Sequence, residues 1–118
     1  MERRKTLFID IDGTLLFHFG EVNTQTKYFP TILSGVLEKF AEWNTKGYQI
    51  ILITARRESE RLKTIEQLED VGIVYDMLIT SIGLGDRVII NDIKPGSDKP
   101  TAVAICVPRN EGIANINI

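Results

Sequence analysis

Thr6-Leu7-Phe8-Ile9-Asp10-Ile11-Asp12-Gly13-Thr14 is the stretch on which the fold turns. Its first four residues are short, apolar and rich in strand formers, as expected of a strand buried on both faces of a parallel sheet. The run then passes into two aspartates, a glycine and a threonine. An aspartate set in an apolar strand is costly unless it is paired or bound to a cation. The stretch therefore points to a buried sheet and to chemistry at its carboxyl end.

Working outward, Leu15 to Phe29 alternates aromatic and polar residues without a sustained period and reads as a loop or small hairpin. Leu33, Val36, Leu37, Phe40 and Ala41 then follow helical spacing. Pro30-Thr31 stands at the predicted start of this helix and Gly47 at its stop. Tyr48 to Thr54 contains Ile50-Ile51-Leu52-Ile53, a second buried strand. Leu62, Ile65 and Leu68 mark a second helix closed by Gly72, with Lys63 on its exposed side. Strand-like runs follow at Tyr75–Ile79, Arg87–Ile90 and Ala102–Val107, and Pro108 opens a polar loop or tail. Alternating strands and helices predict an α/β fold, a three-layer Rossmann-like parallel sheet with helices on both faces. Such sheets bind ligands beyond the carboxyl ends of their strands. Asp10, Asp12, Thr54 and Asn91-Asp92 all fall there.

The 118 residues carry 14 Lys and Arg against 16 Asp and Glu, a net charge of −2, with 43% hydrophobic and 25% charged residues. This is the mix of one globular domain spanning 1–118. Near-neutrality and a pI of about 5.4 argue against nucleic-acid binding through bulk charge. Cys106, alone, can form no internal disulfide or multi-cysteine zinc cluster, and within an apolar strand it is expected to be inert. Met1-Glu2-Arg3-Arg4-Lys5 resembles a signal-peptide start, yet Asp10 and Asp12 break the apolar run behind it. The expectation is a solvated approach to the first strand in a soluble, cytoplasmic chain without a membrane span.

A pocket holding Asp10, Asp12, Asp92 and Asn91 would crowd carboxylates that repel unless a cation sits among them. Hard oxygen donors at a concave site suit Mg²⁺, which commonly bridges to a phosphate. Gly13 lets the chain turn, and the amides of Gly13 and Thr14 could cradle phosphate oxygens as a nest does. Gly83 and Gly85 lack the rest of a dinucleotide fingerprint and read as turn residues. His18 and Trp43 read as a half-buried histidine and a helix-packing residue.

Asp10-Ile11-Asp12-Gly13-Thr14 resembles the DxDGT signature of the haloacid-dehalogenase-like (HAD) phosphohydrolases. Ile53-Thr54-Ala55-Arg56 is similar to their second motif and Ile90-Asn91-Asp92 to their fourth, over roughly residues 6–107. The resemblance implies Asp10 as nucleophile, forming an aspartyl phosphate, and Asp12 as general acid and then base. It implies Thr54 as donor to the phosphoryl group. Asp10, Asp12 (through its carbonyl) and Asp92 would hold Mg²⁺, supported by Asn91. Gly13, Thr14, Ala55, Arg56 and Lys94 would line the phosphate site. The family's lysine before the fourth motif is missing, because Thr80 to Asp86 is too short for a helix and holds no Lys. Arg56, Lys63, Arg87 and Lys94 are the available cations, with Arg56 and Lys94 nearest to strand ends.

The gaps between motifs leave no room for a cap domain. The resemblance therefore implies a small capless phosphatase acting on a sugar phosphate or other small phosphorylated metabolite. An open site also suggests a homo-oligomer, a dimer or tetramer, in which Leu16 to Phe29 contributes to the interface or to a specificity loop. Two alternatives remain: a nucleotide or polynucleotide-end phosphatase, and a phospho-receiver whose aspartyl phosphate persists.

Overall fold

The computed structural model describes residues 4–118. Met1 to Arg3 lie outside the described residues, so the solvated start is seen only in Arg4 and Lys5, both exposed. Three strands, β1 (Thr6–Asp10), β2 (Gln49–Ile53) and β3 (Met77–Ile79), form a parallel sheet in the order β1-β2-β3. Helix α1 (Val36–Thr45) joins β1 to β2, and α2 (Arg61–Val71) joins β2 to β3. Short 3₁₀ turns cover Val22–Lys27 and Glu58–Glu60. No helix among the described residues is long and apolar enough to cross a membrane.

The strand order advances in one direction only. Right-handed crossovers then bring both connecting helices to one face. Val36, Phe40 and Trp43 of α1 and Leu68 of α2 accordingly enter one core with Leu7, Ile50 and Leu52. On the opposite face the register lines up Phe8, Ile51 and Met77, and Phe8 and Met77 remain about half exposed, at 51% and 50%. The first strand is thus buried on one face, where the apolar run predicts two. A return helix would cover the second face, and the short Thr80–Asp86 link supplies none.

Helix α1 starts five residues after the expected Thr31. The Leu33 amide donates to the Leu15 carbonyl at 2.9 Å and Ile32 bridges to Leu16, which keeps this approach extended. The turn into the helix falls on Gly35, in the left-handed region at φ 79°. There a Cβ would land on the backbone of Ala114, in a tail that hooks over the start of α1. Ile113 is 2% exposed and its amide donates to the Ser34 carbonyl at 2.9 Å. The tail after Pro108 is therefore part of the core, which its polar character conceals. Leu37, Ala41 and Leu62 face outward, and α2 turns Thr64 and Gln67 inward with Leu68.

The largest departure lies between Gly83 and Cys106, where every residue is exposed. The strands expected at Arg87–Ile90 and Ala102–Val107 are not formed, and Val88, Ile90 and Val103 stand 80%, 94% and 81% exposed. An apolar run becomes a strand only when an edge supplies hydrogen bonds, and here the segment leaves the sheet as a long arm. Its two limbs meet where Asn91 Nδ2 donates to Thr101 Oγ1 at 2.6 Å and Thr101 Oγ1 donates to the Asp92 carbonyl at 2.7 Å. Cys106 is exposed with the arm rather than sealed in a core. The described residues extend over 50 × 29 × 25 Å.

Gly47 has nearly the same backbone as Gly35, φ 75° against 79°, but nothing lies near its missing Cβ. Gly47→Ala should cost about 1 kcal/mol, from left-handed strain alone. Gly35→Ala should cost about 1–3 kcal/mol more, because the tail must shift. Denaturant melts of the two variants check this difference.

Candidate active site

Asp10 closes β1, and its carboxylate lies at the carboxyl end of the sheet with one third of its side chain exposed, 33%. Thr14 Oγ1 donates to Asp10 Oδ2 at 3.2 Å, and Arg87 Nη1 donates to Asp10 Oδ1 at 2.8 Å. Arg87 is therefore the cation that meets Asp10. Arg56 and Lys94, nearer to strand ends in the sequence, do other things.

Arg56 is 2% exposed and its guanidinium forks onto Asp12, Nε to Oδ2 at 2.9 Å and Nη2 to Oδ1 at 2.7 Å. Bidentate pairing of this kind fixes geometry as well as charge. Nη1 of the same group donates to Gln67 Oε1 at 2.6 Å and Thr64 Oγ1 at 3.2 Å, which explains the polar inner face of α2. Gln25, from the loop after β1, donates to Asp12 Oδ1 at 2.9 Å and to the Phe17 carbonyl at 3.0 Å. Gln67 returns a bond to the Tyr28 carbonyl at 2.9 Å. Both Asp12 oxygens are thus occupied, and the loop is tied to the site through them.

Thr54 is 1% exposed, just beyond β2, and its Oγ1 accepts from the Arg56 amide at 3.0 Å. Ala55 sits half-buried between these two. The amides expected to form a phosphate nest are used inside the turn. Gly13 N–H donates to the Leu16 carbonyl at 2.7 Å and Thr14 N–H to the Ile11 carbonyl at 3.2 Å. Gly13, at φ 89°, also lies against the Arg109 side chain, while the Asn110 amide donates to its carbonyl at 2.8 Å. Arg109 is a cation beside the motif that reading the chain locally missed, because the tail brings it there.

Asn91, Asp92 and Lys94 all lie on the exposed arm. The structure brings Asp10, Asp12, Gly13, Thr14, Thr54, Ala55 and Arg56 to the carboxyl end of the sheet, and it leaves these three apart. Among the described residues no three His, Cys, Asp or Glu gather closely enough to hold a metal ion. One chain by itself therefore does not present the ligand set expected for Mg²⁺. Two surface hollows lie to the sides, one lined by Thr26, Phe29 and Lys63 and the other by His18, Leu84 and Arg109. Neither is lined by Asp10 or Asp12.

The loop after β2 is tied to the end of β3 by Glu58, which accepts from Arg61 and from Thr80 Oγ1. The Arg61 bond first, and the Thr80 bond second, pull the Glu58 carboxyl from its ordinary 4.5 to about 2.

No protein-family model matches the sequence, and no curated protein matches it at a significant level. Among solved structures, the chain is similar to a component of the Pnkp1/Rnl/Hen1 complex, with 24% identity and a TM-score of 0.58. That match covers 72% of this chain and 30% of the other. A structure of the Pnkp1/Rnl/Hen1 RNA repair complex matches at 25% identity and TM-score 0.57, covering 65% and 25% of the two chains. A target protein from Vibrio cholerae matches at 19% identity and TM-score 0.54, covering 77% and 84%. The chain thus spans less than a third of the RNA-repair chains and most of the Vibrio one. These likenesses bear on the fold.

Two outcomes follow from the site. Arg56→Leu leaves the Asp12 carboxylate buried without its partner and should destabilise the protein by about 3–5 kcal/mol in a denaturant melt. Arg56→Lys should recover little of this, because an ammonium cannot make the fork. A carboxylate depressed on folding stabilises above its unfolded value and loses that stabilisation as pH falls through its folded value. The Glu58 contribution is therefore present above pH 4.5 and lost towards pH 2. In an Arg61→Gln variant, carboxyl NMR should find Glu58 titrating nearer 4.5.

Proposed function

We propose that this chain is a capless phosphomonoesterase of the HAD type, with Asp10 as its nucleophile. The observation that carries the reading is a strand-end carboxylate, partly open to solvent and held by Thr14 and Arg87, beside a second carboxylate locked by Arg56. Asp10 is fixed in direction yet accessible, as a nucleophile needs to be.

In the proposed reaction an Asp10 oxygen bonds to phosphorus while the ester P–O bond breaks, and the leaving oxygen takes a proton from Asp12. Water then attacks phosphorus, returns a proton to Asp12 and frees Asp10 and inorganic phosphate. Thr54 and Arg87 would stabilise phosphoryl charge, the main demand of this chemistry. Asp12 Oδ1 accepts two bonds and Oδ2 only one, so Oδ2 keeps the lone pair through which Asp12 would carry a proton. Mg²⁺, when bound, would supply further charge neutralisation at the phosphoryl oxygens.

The reading takes the domain as one without a cap, and its substrate as a small phosphorylated metabolite. The likeness to chains of an RNA repair complex favours a second substrate class, a phosphorylated polynucleotide end. Its macromolecular size would suit an uncapped site.

Phosphate release from sugar phosphates, nucleotides and 3′-phosphorylated oligonucleotides, with Mg²⁺ or chelator, tests the proposal. Turnover should need Mg²⁺, fall below detection in Asp10→Asn, and drop by about 10²–10⁴ in Asp12→Asn. Preference for oligonucleotides would select the second class. No release from any phosphate would overturn the proposal.

A further inference from the structure

The arm and the sheet are each incomplete, and in complementary ways. Strand β1 pairs with β2 on one side only, so among the described residues its outer edge has no strand partner. Beside that edge, on the face away from the helices, Phe8 and Met77 stand half exposed on either side of a buried Ile51. The arm carries Val88-Ile89-Ile90, a strand-forming run that is 80%, 57% and 94% exposed. An open edge and an unpaired apolar run in one sequence are the two halves of a strand addition.

The arm does not complete its own sheet in this conformation. A parallel strand beginning near Arg87 needs that residue level with the start of β1, as Gln49 of β2 is level with Thr6. Arg87 instead reaches Asp10, at the far end of β1, and the chain beyond it continues into solvent. A second copy has no such constraint.

The geometry points to reciprocal exchange: in a dimer, the arm of each chain adds Val88–Ile90 to the free edge of β1 in the other, and so delivers Asn91 and Asp92 to its Asp10. The last step follows from strand pairing. With Ile90 opposite Asp10, as Ile53 of β2 already is, Asp92 falls just beyond the carboxyl end of β1. The arm is of sufficient size. Gly83 to Cys106 supplies the roughly 20–30 residues a side of a standard interface. Exchange by a two-fold axis also closes on itself, so the arm contact does not run on into a chain of further copies. The Arg87 contact to Asp10 of its own chain can persist, because it lies at the root of the arm.

The placement of Asp92 rests on the phosphatase reading, whereas the exchange itself does not. Asp10 of one copy and Asp92 of the partner subunit would bring together the hard oxygen donors that a single chain keeps apart, a set suited to Mg²⁺.

Light scattering on the unmodified protein is the first arm of the test. The expected mass is twice 13.3 kDa at micromolar concentration, and a monomer would overturn the exchange. The second arm uses Phe8→Cys and Val88→Cys, each combined with Cys106→Ser, unfolded together and refolded as a mixture. Oxidation should join the two variants covalently, and a dimer without this cross-link would place the interface elsewhere and also overturn the exchange.

Activity supplies the third arm. Asp10→Asn and Asp92→Asn should each be inactive alone, yet refolded together they should recover roughly a quarter of wild-type turnover, since half the dimers are mixed and each holds one intact site. Absence of recovery, with wild type active, would place Asp92 in its own chain's site and overturn the exchange. A cross-linked dimer that releases no phosphate would retain the exchange and remove the phosphatase reading. An active monomer would do the reverse.

Discussion

The forked pair between Arg56 and Asp12 is the constraint around which the rest of this molecule is arranged. Both side chains are withdrawn from water, Arg56 to 1% and Asp12 to 6% of their exposed area. Burial of two charges costs several kcal/mol per ion unless geometry and extra hydrogen bonds return it. Here they come from three directions: Gln25 from the loop after β1, Thr64 and Gln67 from α2, and the fork itself between the ends of β1 and β2. One ion pair therefore sets the relation of a strand, a helix and a loop, and places Asp10 beside a fixed neighbour. It also holds the Asp12 carboxylate in one orientation. The stability of the site and its proposed reactivity draw on the same few bonds.

The opposite half of the molecule lacks such closure. Both helices cover one face of the sheet because the strand order never reverses. The link that could carry a helix back across the other face is a few residues long. The apolar residues available to cover that face sit on an arm directed into solvent. A face of the sheet, its outer edge and the arm thus form one connected deficit, and a second copy can meet all three parts at once.

Much of this was legible in the chain, for identifiable reasons. Strand β2 and the stop at Gly72 follow from buried aliphatic periodicity and a left-handed cap, both local properties. Asp10, Asp12 and Thr54 could be placed at strand ends because strand ends follow from the same pattern. The start of α1 could not, because a tail more than 75 residues later fixes Gly35 and Ser34. Arg56 was legible as an important cation but not as the partner of Asp12, since pairing depends on how deep the side chain lies. Arg87 and Arg109 reach the site through the arm and the tail, where composition carries no directional signal. The runs at 87–90 and 102–107 have the composition of strands, but a strand also requires an edge, and an edge is a property of the assembled sheet.

The central claim is that Asp10 attacks phosphorus. Borohydride added during turnover reduces an acyl phosphate to an alcohol, and peptide mass spectrometry then locates the modified residue. The account predicts reduction at Asp10, dependent on substrate and absent when substrate is withheld. Rapid release of phosphate with Asp10 unmodified, or with the label on another residue, would contradict it.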